Sequence, residues 1–227
     1  MIWVYAIAER PDVPPPGATG LAGAPLAGVR EGGLLAVLSH HADPPAVSEV
    51  DALWTHEHVV ERLMAQRAVL PMRFGSQLDD EAAQRGALAA RHDELLTALD
   101  GGRDRVELAV RVVSPGPADV ALAPVAEAVA GQDPGHRYVR AKLELRNRAE
   151  AAGLALHARL AALAVAERRR PGPDPRELLR ASYLVDRSVV AEFRALARRL
   201  QRERPDASLL CTGPWPPYSF VDARIAR

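Results

Sequence analysis

The chain changes its hydrophobic period several times, and each change marks an element. Ile2 to Ala8 is apolar on both faces and rich in β-branched and aromatic residues, the pattern of a strand covered on both sides. Arg10 to Gly23 is rich in proline and glycine and reads as a surface loop. Leu26 to Val29 and Leu34 to Ser39 pair as a hairpin around Arg30-Glu31-Gly32-Gly33. Ser48-Glu49-Val50-Asp51 resembles a capping box, and Leu53, Val60, Leu63 and Met64 follow at helical spacing to about Ala68, with Pro71 closing the element. From Asp79 to Asp100, Ala82, Leu88, Leu95, Leu96 and Leu99 predict one amphipathic helix ended by Gly101-Gly102.

The pattern then starts again. Val106 to Val113 is a strand with Glu107 and Arg111 on one kind of position, and Ser114 to Gly135 is a Pro/Gly-rich loop. A long helix is predicted over Tyr138 to Arg170, with Leu143, Ala151, Leu154 and Leu160 facing inward and Pro171-Gly172-Pro173 as its stop. A strand at Ala181 to Val185, a helix over Ser188 to Arg204 and a strand at Ser208 to Thr212 complete a β-α-β-α-β order. That order resembles a ferredoxin-like β-α-β-β-α-β unit with one strand missing or too weak to see. The fold class is therefore α+β in two small domains, residues 1–104 and 105–227, with the boundary near Arg103-Asp104.

Composition narrows the partners. With 48% hydrophobic residues in 227, there is apolar material for one large or two small cores. The formal net charge is zero, which removes the electrostatic reason to expect nucleic acid or an anionic membrane and leaves a protein as the partner. Lys142 is the sole lysine among 29 basic residues, and the arginines receive no role as a set. The single Cys211 excludes an internal disulfide and the N-terminus lacks a secretory pattern, so a cytoplasmic location is expected; no run is long and apolar enough to span a bilayer.

The candidate chemistry is sparse. His56 and His58 lie two apart on a predicted helix and point about 200° apart, so they do not close on one metal ion. His40-His41 sit at a strand end, and Cys211 is a packing thiol at the end of the last strand. Arg168-Arg169-Arg170 reads as a cationic helix terminus, and Arg194, Arg198, Arg199 and Arg202 as a solvated helix face. No phosphate-cradling loop is present, and no catalytic residue, metal ligand or cofactor is assigned.

Two motifs remain. In Leu70-Pro71-Met72-Arg73-Phe74-Gly75, Pro71 holds Leu70 extended, Gly75 supplies a positive φ, and Arg73 and Phe74 point oppositely, Phe74 to the core and Arg73 to a partner or domain junction. Gly213-Pro214-Trp215-Pro216-Pro217-Tyr218-Ser219-Phe220 concentrates three aromatics in a chain that is 4% aromatic. Its prolines predict an extended ribbon, serving either as a strap across its own fold with Trp215 buried or as an exposed partner site.

Both motifs, with Trp3-Val4-Tyr5-Ala6-Ile7, Val106 to Val112 and Ser182-Tyr183-Leu184-Val185-Asp186, resemble the gas vesicle GvpL/GvpF family across nearly the whole chain. The resemblance implies a modified ferredoxin-like C-terminal domain and a hydrogen-bonding role for His56. It also implies a non-enzymatic accessory function in gas vesicle assembly, with the hydrophobic shell-forming protein and other accessory proteins as partners. It does not separate the GvpL from the GvpF branch. The alternative is a small-molecule-binding regulator or enzyme on a ferredoxin-like scaffold, which requires polar groups clustered in a pocket.

Overall fold

The computed structural model describes residues 1–9, 17–43, 47–114, 134–170 and 176–221. Contacts divide the chain into two compact units: Met1–Glu107 together with the segment from Trp215 on, and Leu108–Pro214.

In the first unit, β1 (Ile2–Glu9) is the central strand. It pairs antiparallel with β3 (Leu34–His40) on one side and with β4 (Val69–Pro71) and β5 (Gln77–Leu78) on the other, and β2 (Leu26–Glu31) adds to β3. The register between β1 and β3 shifts between Val4 and Ala6, so a bulge at Tyr5 resets the alternation of side chains. Ile2, Val4 and Ile7 consequently face one core, while Trp3, Tyr5, Ala6 and Ala8 face the other.

Each core is closed by helices. On the Trp3 side lies α1 (Glu49–Met64), packing Ala52, Val59, Val60 and Leu63; the Ser48 hydroxyl accepts from the Asp51 amide at its start, as the capping box requires. On the Ile2 side, Leu88 comes from α2 (Glu81–Ala90), and Leu95 and Leu99 from α3 (His92–Gly102). The sequence predicts one helix here, and the structure corrects this: Arg91 leaves helical geometry (φ −125°, ψ 20°) and its guanidinium clamps Glu94 in the first turn of α3. The break re-aims the second helix, burying Leu95 and Leu99 while Ala82 stays exposed.

In the second unit, the order is β6 (Arg105–Val113), α4 (Pro134–Ala161), β7 (Ala166–Arg169), β8 (Glu177–Asp186), α5 (Val190–Glu203) and β9 (Ser208–Trp215), with the strands ordered β7-β8-β6-β9 in one sheet. The long helix stops at Ala161, and the predicted helical Arg168-Arg169-Arg170 belongs instead to β7 and its end, antiparallel to β8 through pairs such as Arg168 with Ser182. β7 supplies the strand that the β-α-β-α-β reading lacks. Of the four residues expected to face inward on α4, only Leu160 is buried; Leu143 and Leu154 are exposed, and Gly153 and Leu156 take the inner face. Half of the expected loop at Arg10–Gly23, most of that at Ser114–Gly135, and the Pro171-Gly172-Pro173 stop lie outside the described residues.

Candidate functional site

Of the residues singled out by the sequence, Met72, Phe74 and Tyr218 meet α1 in the first unit, while Gly213 and Pro214 belong to the second. After β4 the chain turns at Arg73–Ser76, where the Ser76 amide donates to the Arg73 carbonyl (3.0 Å) and Gly75 takes φ +86°, the positive value that the third residue of such a turn needs. Leu70, Pro71 and Met72 are buried, Phe74 is half-buried, and Gly75 and Arg73 are exposed. The Arg73 side chain makes no ion pair among the described residues.

His56 is wholly buried beneath this turn and ties three segments together. Its Nδ1 accepts the Trp3 indole N–H (3.1 Å), and its Nε2 lies 2.9 Å from the Met72 carbonyl oxygen. An indole only donates and a carbonyl only accepts, so the ring is the neutral Nε2–H tautomer. Burial pushes its pKa down to about 4, against the smaller opposing effect of the Met72 hydrogen bond. Both nitrogens being used, no lone pair is left for a metal or for proton transfer. Trp3 and Phe74 pack edge-on with centroids 5.2 Å apart, and Phe74 also meets His56 at 5.8 Å.

Tyr5, beside His56 at 5.3 Å, extends the network. Its hydroxyl receives the Leu21 amide (2.8 Å) and shares a hydrogen bond with Ser39 Oγ (2.8 Å), which in turn contacts His41 Nε2 (2.8 Å). Burial raises the phenol's pKa, the two hydrogen bonds working against it. Gly20 makes room: a Cβ there would sit 2.1 Å from the Tyr5 oxygen.

The tail meets the same helix through Tyr218, which lies against Glu57. Gly213 (φ +108°) precedes a cis peptide to Pro214, and the Arg194 guanidinium donates to the Gly213 carbonyl. The strand continues through Pro214 to Trp215, further than the sequence suggests, because β9 is an edge strand that tolerates a missing amide. Pro216 and Pro217 are buried, Tyr218 and Phe220 half-buried, and Pro214 exposed; Trp215 keeps 39% of its surface exposed. The Ser219 amide and hydroxyl both donate to the buried Glu107 carboxylate (2.8 and 2.7 Å), while Val221 packs on the Ile2-side core. The Tyr218 hydroxyl is buried against Glu57 without a well-aligned hydrogen bond; burial, then the charge of Glu57, raises its pKa. Glu57 is itself raised, chiefly by burial.

Sequence reasoning missed a surface on the opposite side of α1. Val50 (63% exposed), Leu53 and Trp54 (68% exposed) lie at i, i+3 and i+4 and form an apolar stripe beside Glu57, with Val47 exposed just before the helix. Leu53 fits the helical period and so reads as an inward residue; Trp54, which falls outside that inward set, is the signal in the sequence that points to the stripe.

Elsewhere a cavity of about 570 Å³ is lined by Met1, His40, His41, Asp79, Asp80 and Glu81, with His40 Nε2 3.3 Å from Glu81. Among the described residues no group of three metal-type ligands converges there or elsewhere. Cys211 is half-buried, and burial raises its pKa despite Arg194 and Arg198. No helix among the described residues is long and apolar enough to cross a membrane.

The family model described as gas vesicle synthesis protein GvpL/GvpF matches residues 1–222. Gas vesicle protein L of Streptomyces sp. (strain CB03234) is 31% identical over 247 residues, covering 96% of this chain and 92% of its own. Gas vesicle protein F of the same strain is 32% identical, with 97% and 99% covered. Gas vesicle protein F2 of Halobacterium salinarum is 30% identical over 77% of this chain and 70% of its own. The crystal structure of GvpF from Anabaena sp. PCC7120 superposes with a TM-score of 0.84 at 18% identity, covering 100% of this chain and 98% of that one. GvpF from Microcystis aeruginosa gives 0.77 at 15% identity, over 96% and 98%.

Proposed function

Because the chain belongs to the GvpL/GvpF family of gas vesicle proteins and so takes part in gas vesicle formation, we propose that it is a non-enzymatic assembly factor. It binds the hydrophobic shell-forming protein and other accessory proteins in the cytoplasm or at the growing vesicle. The observation that carries this reading is the family match along 1–222. The stripe of Val50, Leu53 and Trp54 adds physical support, since an exposed apolar face on a rigid helix suits a partner that presents apolar surface before it assembles. His56, the group whose residue type most invites catalysis, has both nitrogens committed to structural hydrogen bonds. The β-α-β-β-α-β order of the second unit, with strands ordered β7-β8-β6-β9, supports a ferredoxin-like reading of a second domain.

The test is co-expression with the shell subunit. The two are expected to co-purify and to stay together as salt is raised, because apolar contacts are not screened as ion pairs are. A Val50→Ser/Trp54→Ser variant is expected to lose the complex while unfolding near the wild-type midpoint, both side chains being exposed. A shell subunit that never co-purifies, or that salt alone removes, refutes the reading.

A further inference from the structure

Arginines far apart in the sequence converge on one face of the second unit's sheet. Arg111 on β6, Arg168 on β7, Arg170 just beyond it and Arg180 on β8 line a cavity of about 250 Å³ with Ala109, Ala181 and Leu210 among its apolar walls. Strand alternation explains the sorting. Arg168 lies opposite Ser182, and the Arg170 amide donates to the Arg180 carbonyl, so these pairs share one side. Glu167 and Arg169 alternate with them, and both act electrostatically on His157 of α4.

The face already holds one carboxylate. Glu177 has a fully buried side chain, and its Oε1 accepts from Arg111 Nε (2.6 Å) and Arg180 Nε (2.9 Å), while its Oε2 is buried with no hydrogen-bond partner among the described residues. The two guanidiniums that hold it remain 47% and 40% exposed. Arg170, beside Arg180, has no ion-pair partner among the described residues, although like charges side by side in a sheet are unfavourable. Four guanidiniums thus line one small cavity, two of them on the Glu177 carboxylate, and concentrate positive charge there in a chain whose net charge is zero.

We propose that this face docks a carboxylate-rich segment of a partner protein. Guanidiniums suit carboxylates through their fork of donors, and the exposed Leu210 gives apolar side chains of the same segment a place to rest. No aromatic ring lines the cavity for base stacking, and the neutral chain supplies no long-range attraction, which disfavours a nucleic acid. The site does not depend on the apolar stripe of α1, and its binding is expected to weaken as salt rises, whereas the shell-subunit complex is expected to persist.

The test uses the full chain and a fluorescent peptide of alternating glutamate and leucine, read by anisotropy. The peptide is expected to bind at low salt and to be released as salt rises; its glutamine counterpart is not bound. Arg168→Thr/Arg170→Thr keeps β propensity and is expected to weaken binding by roughly tenfold or more. Arg198→Gln/Arg199→Gln removes the same charge from exposed positions on α5 and is expected to leave binding unchanged. Failure of the peptide to bind, equal losses in the two double variants, or tighter binding of a charge-matched single-stranded oligonucleotide would each overturn the proposal. Melting curves of both variants verify that the sheet is intact.

Discussion

At His56 both ring nitrogens are committed, and this sets how the protein responds to acid. The folded-state pKa of about 4 lies below the unfolded value near 6.5, so between these pH values the unfolded chain binds the extra proton. The stabilising contribution of neutral His56 is therefore full above pH 6.5 and is lost as pH falls towards 4. The loss is on the order of 3 kcal/mol, since each tenfold difference in proton affinity between the two states is worth about 1.4 kcal/mol. Urea midpoints taken at intervals from pH 7 to 4 are expected to fall in wild type, and the fall to be much shallower in His56→Gln. That variant keeps a donor for Met72 but leaves the Trp3 indole without its acceptor, lowering stability at pH 7 by about 1–3 kcal/mol. Parallel slopes in the two proteins would place the acid sensitivity elsewhere. The motif pattern makes His56 legible in the sequence as a hydrogen-bonding residue, but its partner Trp3 lies 53 positions away. Only the bulge at Tyr5 settles which face of β1 each side chain takes.

The α4 helix shows why elements are harder to read than residues. Its alanine-rich continuation past Ala161 has high helix propensity, yet Ala166–Arg169 pairs with β8, because tertiary pairing outweighs a preference of a few tenths of a kcal/mol per residue. The inner face differs from the expected one for a related reason: hydrophobicity favours Leu154 and Leu143, but the tightest approach is made by a residue with no side chain. A Cβ on Gly153 would lie 2.0 Å from the Leu178 carbonyl oxygen of β8. Gly153→Ala is thus expected to destabilise by about 1–3 kcal/mol through overpacking, despite alanine's better helix propensity. Gly86, inside α2, has nothing within 4 Å of the same construction. Gly86→Ala is expected to stabilise by about 0.5–1 kcal/mol. Thermal midpoints moving in opposite directions would bear this out; a Gly153→Ala midpoint at or above wild type would show that α4 can lift from the sheet at no cost.

At the scale of the whole molecule, the chain completes the first unit only at its end, after Leu108–Pro214 has formed the second. The aromatic concentration makes the tail legible as a strap, whereas the contacts that fasten it depend on Glu107, more than a hundred residues earlier. Trp215 stays 39% exposed, and the anchoring falls to Pro216, Pro217, Val221 and above all Ser219, whose amide and hydroxyl satisfy both oxygens of a carboxylate only 6% exposed. Ending the chain after Pro214 removes both donors, and a buried acceptor that loses its partner costs about 1–3 kcal/mol, more when charged. The truncated protein is therefore expected to unfold at a clearly lower urea midpoint than wild type. Ser219→Ala, which keeps the amide, is expected to fall between them. Trp215→Ala is expected to cost less than the truncation, and less than the ~3–5 kcal/mol of a fully buried aromatic. Adding Glu107→Gln to the truncation should recover part of the loss, since a neutral amide is cheaper to leave buried without partners than a carboxylate. A truncation that melts with wild type, or a Trp215→Ala variant that matches the truncation, would assign the anchoring to the ring and not to the Ser219–Glu107 pair.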